Sequence, residues 1–122
     1  MPVVFHYPAC GTCRKALAWL DAGGHAHTRV DIVAAPPAAP VLAAAIRGSG
    51  LPLPRFFNTS GESYRAGEWK SRVGALTVES AAAALAADGK LIKRPLVLFE
   101  DGRALVGFEP VAWAAAFAGS PR

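Results

Sequence analysis

The sequence predicts an α/β fold in the order βαβ, a helical middle, then ββα, built on one mixed sheet. Three observations predict it. First, the short β-branched and aromatic run Val3-Val4-Phe5 is followed by apolar residues at Cys13, Ala16, Leu17 and Leu20, the i, i+3, i+4, i+7 stripe of an amphipathic helix, and then by a second strand-like run from His27 to Val33. Second, an alanine-rich stretch from about 36 to 90 is broken by prolines and glycines and holds helical rather than alternating patterns. Third, an Asp-Gly turn late in the chain joins two apolar runs, the signal of a hairpin. The first unit brings two parallel strands together through a right-handed crossover, and the hairpin supplies the antiparallel half.

Taken in order, Val3-Val4-Phe5 reads as a buried strand that Pro8 ends, because proline has no N–H for a ladder. The first helix then starts at Cys10 and stops at Gly23-Gly24. In the second strand, Thr28, Val30 and Ile32 fall on one face. Ala34 to Pro40 carries three prolines and reads as a connector, and Pro40 also suits the first turn of a short helix through Ile46, closed by Gly48. Gly48 to Pro54 reads as a loop. Ser60-Gly61 marks a turn, and Ser63 is positioned to cap a helix carrying Tyr64 and Trp69. Thr77 suits the N-cap of a helix through Ala87, with Gly89 just past its end. Leu96 to Phe99 and Ala104 to Phe108 are the hairpin strands around Glu100-Asp101-Gly102-Arg103. Pro110 opens a last helix with Val111, Ala114 and Phe117 on one face and Gly119 closing it, and Ser120-Pro121-Arg122 is expected to fray.

The 122 residues suffice for one domain with a real core and are too few for two ordinary ones, so a single domain over 1–122 is expected. Hydrophobic content of 52% and charged content of 18% exclude a disordered chain. No apolar stretch has the length of a membrane span, and the N-terminus lacks the pattern of a secretory signal, so the expected location is the cytoplasm. There any disulfide is transient and functional, and the match of Asn58-Thr59-Ser60 to a glycosylation acceptor carries no meaning. The net charge of +4 and pI near 9.5 permit contact with anions. The basic residues are spread out, with tight pairs only at Arg14-Lys15 and Lys93-Arg94, and no helix has the basic face of a sequence-specific DNA reader.

The two cysteines of the chain, Cys10 and Cys13, form one C-x-x-C pair at the start of the first helix. Unpaired N–H groups and the helix dipole point at Cys10 and favour its thiolate, and Arg14 and Lys15 add positive charge. Cys10 is therefore the expected exposed nucleophile and Cys13 the buried resolving thiol. A structural zinc needs four ligands, and a second C-x-x-C is lacking. His6, His25 and His27 fit no standard ligand spacing, so no metal is expected. His25 and His27 read as polar loop residues, whereas His6 and Tyr7 are close enough in sequence to tune Cys10. A C-x-x-C beside a strand–helix unit is the thioredoxin-like cue, and the element order is that of a thioredoxin-like fold with a helical insertion.

Pro8-Ala9-Cys10-Gly11-Thr12-Cys13-Arg14-Lys15-Ala16, Phe57-Asn58-Thr59-Ser60-Gly61 with Tyr64-Arg65, Lys93-Arg94-Pro95 and Val106-Gly107-Phe108 together resemble the glutaredoxin-linked arsenate reductase family, including its Spx/MgsR branch. The resemblance spans nearly the whole chain. It implies that the Cys10 loop, with Gly11 and Thr12, faces a cis Pro95, and that Arg94 binds an oxyanion or stabilises the thiolate. It also implies glutathione or glutaredoxin as electron donor, with no bound cofactor. Such reductases hold the oxyanion with three arginines. Here Arg94 matches one, Asn58 stands at another, and the third position falls near Gly107, with Arg55 and Arg103 close by in sequence. They also typically carry a single cysteine in this loop, where this chain has two. The resemblance thus implies two functions: a thiol-dependent reductase acting on an oxyanion or a thiol/disulfide substrate, and a Spx-type redox-sensing regulator whose partner is RNA polymerase.

Overall fold

Four short strands form the sheet: β1 (Val3–His6), β2 (Thr28–Asp31), β3 (Leu96–Leu98) and β4 (Ala104–Val106). The computed structural model, which describes residues 1–118, orders them β2-β1-β3-β4. β1 and β2 run parallel, from Val3 opposite Thr28 to His6 opposite Asp31. β3 is antiparallel to β1, with Phe5 opposite Leu96, and β4 is antiparallel to β3. This is the mixed thioredoxin-like sheet expected from the element order. Six helices accompany it among the described residues: α1 (Gly11–Ala22), α2 (Ala39–Ser49), α3 (Glu62–Ala66), α4 (Trp69–Arg72), α5 (Val78–Ala87) and α6 (Pro110–Ala118). None is long and apolar enough to cross a membrane.

Strand alternation divides the core between the two faces of the sheet. On one face Val4 and Val97 pack with Ala16 and Leu20 of α1 and with Trp113 and Phe117 of α6. On the other, Phe5 and Leu96 pack with Leu42 and Ile46 of α2, Leu85 of α5, and Phe56, Phe57 and Ile92. Buried alanines (Ala43 and Ala45 of α2, Ala81 and Ala82 of α5) let these two helices lie close together. The alanine content is thus spent on close helix packing rather than on a thick core.

Several elements differ from expectation, each for a local reason. β2 ends at Asp31 rather than Val33, because the Asp31 carboxylate accepts the N–H groups of Val33 and Ala34 at 2.9 and 3.1 Å and turns the chain out of the ladder. Val30 and Ile32 share the expected face, against the cluster that holds Phe5, and burial along it falls from Ile32 to an exposed Thr28 at the start of this edge strand. α2 runs through Gly48 to Ser49 and is closed by Gly50, whose φ of +68° is the left-handed cap. The expected loop before Arg55 contains the start of a 3-10 turn, Leu53–Phe56. The helix assigned to both Tyr64 and Trp69 is two short ones, with Gly61 rather than Ser63 as the first cap and a break at Glu68 (φ +53°). β3 stops at Leu98 because Phe99 closes the hairpin turn, its N–H donating to the Arg103 carbonyl. β4 stops at Val106, where Gly107 (φ +73°) turns and donates its N–H to the Pro95 carbonyl at 2.9 Å. In α6 the buried pair is Trp113 and Phe117, one turn apart, while Val111 is 86% exposed. The sheet therefore selects an i, i+4 aromatic pair in place of Val111 and Ala114. Gly119 and the three residues after it lie outside the described residues.

Candidate active site

β1 delivers the chain to the start of α1 at one end of the sheet. Cys10 is the N-cap of α1, in extended conformation, and its Sγ accepts the Cys13 N–H at 3.5 Å. The loop before it is closed by the Cys10 N–H donating to the Tyr7 carbonyl at 2.9 Å. A cysteine in the capping place of serine or aspartate is a weak acceptor as a thiol and a strong one as a thiolate, so the helix end favours ionisation. Gly11 and Thr12 form the exposed first turn. Arg14 reaches back from it, Nη1 donating to the Pro8 carbonyl at 3.2 Å.

The two thiols are free and sit in contrasting environments. Cys10 is half-buried, and burial alone raises its pKa. The N–H groups of Cys13 and Thr12, the Cys13 thiol and the Arg94 charge outweigh that and bring it below the usual thiol value. Cys13 is 1% exposed. Its burial, with the neighbouring Cys10 side chain and charge, pushes it up to about 12, despite a Tyr7 N–H donated to its Sγ at 3.5 Å and the Arg94 charge. Of the two, Cys10 is the sulfur that ionises first, and Cys13 is the one that holds its proton.

The second half of the site comes from the segment entering β3. The Arg94–Pro95 bond is cis, and Leu96 pairs with Phe5, so Pro95 lies at the same end of the sheet as the thiols. The Arg94 guanidinium lies over the Tyr7 ring, 4.9 Å from its centroid, and Nη1 donates to the Lys90 carbonyl at 3.2 Å. Phe57 forms a bridge with Ile92, and the Lys93 N–H donates to Phe56 while the Asn58 N–H donates to Leu91. These bonds bring residues 56–58 alongside 91–93. Asn58 is thereby placed near Arg94, yet its amide packs into the turn at Gly61 and makes no bond to either thiol among the described residues.

The structure thus gathers Cys10, Gly11, Thr12, Cys13, Arg94 and Pro95 at one end of the sheet, with Asn58 beside them. It separates the two other cations near the third arginine position. Arg103 belongs to the hairpin at the opposite end, paired with Asp101 at 2.7 Å and donating to the Ala116 carbonyl. Arg55 lies 3.8 Å from Glu109 and lines a concavity with Lys93. Tyr7 is the residue whose role sequence reasoning left open: it contacts Cys13 through its backbone and Arg94 through its ring. His6 carries a buried Nδ1 with no hydrogen-bond partner among the described residues. His25 stacks on Trp19, away from the thiols.

Residues 5–116 match the ArsC family. The uncharacterized protein YusI of Bacillus subtilis is 42% identical over 111 residues, 89% of this chain and 92% of its own length. Among solved structures, a possible arsenate reductase from Streptococcus mutans is 42% identical, with a TM-score of 0.89 and coverage of 96% of this chain and 98% of that one. An arsenate reductase from Vibrio cholerae is 26% identical, with a TM-score of 0.77 and coverage of 95% and 96%. Nearly the whole chain is matched, in sequence and in strand arrangement, and the chain belongs to the ArsC family.

Proposed function

We propose that this ArsC-family protein is a thiol-dependent oxidoreductase in which Cys10 is the nucleophile and Cys13 the resolving thiol. The observation that carries this is the asymmetry of the pair: a half-exposed Cys10 at the helix N-terminus with its pKa lowered, one turn from a buried Cys13 that keeps its proton. With a disulfide substrate, the Cys10 thiolate attacks one sulfur. A Cys10–sulfur bond forms, the substrate S–S bond breaks, and one thiolate leaves. Cys10 then no longer carries charge. The two influences of Cys10 that held Cys13 protonated fall away, and only burial opposes its ionisation. Cys13 gives its proton to solvent or to the departing thiolate and attacks the Cys10 sulfur. The product is a Cys10–Cys13 disulfide, and the substrate's second sulfur is released as a thiol. Two electrons have passed to the substrate, and glutathione or glutaredoxin returns them.

Arg94 supplies the positive charge for an anionic substrate or leaving group. Its guanidinium is braced by a ring face and a carbonyl, with no carboxylate paired to it among the described residues, so donors remain for an anion. One arginine and a helix N-terminus suit a thiol or disulfide substrate better than a bare tetrahedral oxyanion, which wants several charged donors. The test is glutathione- and glutaredoxin-coupled reduction of arsenate and of a small disulfide, compared with Cys10→Ser and Arg94→Ala. Turnover of either substrate that Cys10→Ser abolishes and Arg94→Ala weakens is the expected result. No turnover of either, with Cys10 still reactive, sinks the reductase reading. It leaves the Spx-type redox-sensing reading, to be tested by oxidation-dependent co-purification with RNA polymerase.

A further inference from the structure

The two halves of the thiol site come from distant parts of the chain: α1 carries Cys10 and Cys13, and the segment entering β3 carries Arg94 and Pro95. One side chain of α6 touches the supports of both. Trp113 is buried in the cluster that holds Ala16 and Leu20 of α1, and its ring meets Trp19 of that helix edge-on at 5.9 Å. Phe108 closes on it edge-on at 5.0 Å. From this fixed place the indole Nε1 donates to the Gly107 carbonyl at 3.0 Å, in a buried bond. The Gly107 N–H donates in turn to the Pro95 carbonyl at 2.9 Å. Gly107 lies just past the end of β4, where the ladder no longer directs the chain, and its φ of +73° is one that glycine adopts without steric cost. Both polar groups of this turn are thus spoken for, one by α6 and one by the residue next to Arg94. Packing alone does not call for an indole here. Phe117, one turn further along α6, fills the same cluster with no polar atom, so what tryptophan adds at 113 is a single aimed donor.

We propose that Trp113 is a positioning residue for the thiol site: its indole N–H fixes the Gly107 turn, the turn fixes the Pro95 carbonyl, and the backbone so held sets where the Arg94 charge stands relative to Cys10 and Cys13. Arg94 is then held twice. The Tyr7 ring and the Lys90 carbonyl brace its guanidinium, and Trp113 holds the backbone from which it projects. Removing the indole donor leaves the Gly107 carbonyl buried without its partner, a costly state that the turn relieves by rotating, and Pro95 moves with it. Arg94 is the cation whose charge acts on both thiols, so a shifted backbone at 94–95 is read out at Cys10. The inference rests on the reductase reading for its purpose in catalysis, but the relay itself is testable without a substrate.

The experiment measures the rate of Cys10 alkylation by neutral iodoacetamide against pH in the full chain, in Trp113→Phe, in Arg94→Ala and in the double variant, with urea unfolding run on each. Trp113→Phe is expected to raise the alkylation midpoint by less than Arg94→Ala does. The double variant is expected to match Arg94→Ala alone, because with the charge gone there is nothing left to position. Phe117→Leu is the packing control: it should lower the urea midpoint and leave the alkylation midpoint in place. An unmoved midpoint in Trp113→Phe, shifts that add in the double variant, or an equal shift in Phe117→Leu would overturn the positioning role. Should Trp113→Phe fail to fold, benzothienylalanine introduced at 113 alone keeps the shape of the ring and lacks only the N–H, and the same outcomes apply to it. In the 15N-labelled chain carrying that residue, the backbone amides of Gly107, Arg94 and Leu96 are expected to shift, and changes confined to α6 would contradict the relay. The reading beneath it fails separately. If Cys10 of the unsubstituted chain alkylates as an ordinary thiol, the reductase reading falls and the amide shifts alone decide the relay. A reactive Cys10 whose midpoint ignores Trp113→Phe removes the positioning role and leaves the reductase reading standing.

Discussion

Tyr7 joins the two parts of the site, since its N–H points at the Cys13 sulfur and its ring lies under Arg94. A guanidinium over a ring at a partly exposed site is worth about 0.5–1 kcal/mol, enough to bias where the charge sits. Cys10 has a lowered pKa, so withdrawing a positive charge must raise it and slow alkylation at a fixed neutral pH. Arg94→Ala is expected to move the midpoint of the Cys10 alkylation–pH profile upward. Tyr7→Leu should move it the same way by a smaller amount, and Tyr7→Phe should leave it in place because the ring face suffices. Equal midpoints in Tyr7→Leu and Tyr7→Phe would show that Arg94 is held by other means. The linkage has a definite sign: ionised Cys10 stabilises the fold at pH above the free-thiol range, and that contribution is lost as pH falls through its lowered folded-state value. At this scale Cys10 and Cys13 were legible from spacing alone, because three residues are about one helical turn. The position of the Asn58 amide was not, since it lies beside Gly61 in a turn.

Among the elements, α5 is the one whose start the sequence predicted most fully. Thr77 Oγ1 accepts the Ser80 N–H at 3.1 Å, and Ser80 Oγ accepts the Thr77 N–H at 2.8 Å, a reciprocal cap. Thr77→Ala is expected to cost about 1 kcal/mol, seen as a lower urea midpoint with unchanged Cys10 alkylation. α2 offers the opposite lesson. Replacing a helical glycine by alanine ordinarily stabilises by about 1 kcal/mol, but a Cβ at Gly48 would run into the Gly102 carbonyl of the hairpin. Gly48→Ala should therefore destabilise the protein, and a raised urea midpoint would contradict that packing. The sequence placed Gly48 as a stop signal because a glycine near a helix end usually is one; the contact that explains it comes from a turn far along the chain. The 62–72 region was misread because helices this short have almost no stability of their own, so their ends follow Gly67 and Glu68 rather than a periodic stripe.

For the whole molecule, the sheet separates two cores, and the thiol helix depends on one of them. α1 is fixed by Ala16 and Leu20 against Val4, Val97, Trp113 and Phe117. Trp113 is 1% exposed, and its Nε1 donates to the Gly107 carbonyl at 3.0 Å, at the turn that also ties down Pro95. Trp113→Ala is expected to cost about 3–5 kcal/mol, lowering the denaturation midpoint far more than any exposed ion pair, whose removal costs about 1 kcal/mol or less. A loss under about 1 kcal/mol would mean that α6 does not hold α1 in place. Arg94→Ala is predicted to do the reverse, changing reactivity with little effect on the midpoint.

The sequence by itself determined the features that depend on near neighbours: the βαβ and ββα units, the cap at Thr77, the hairpin at Asp101-Gly102, and two thiols one helical turn apart. Each follows from backbone geometry repeating every two or 3.6 residues, so a window of a dozen residues holds the information. Tertiary structure alone decided which cations lie at the thiol end of the sheet. Arg94 and Lys93 precede β3 and Arg103 follows it, and β3 runs antiparallel to β1, so the first two lie at the thiol end and the third at the far end. It also chose Trp113 over Val111 as the buried face of α6 and set Tyr7 under Arg94. Those outcomes rest on residues tens of positions apart meeting across a sheet, and local periodicity carries no record of distance through space.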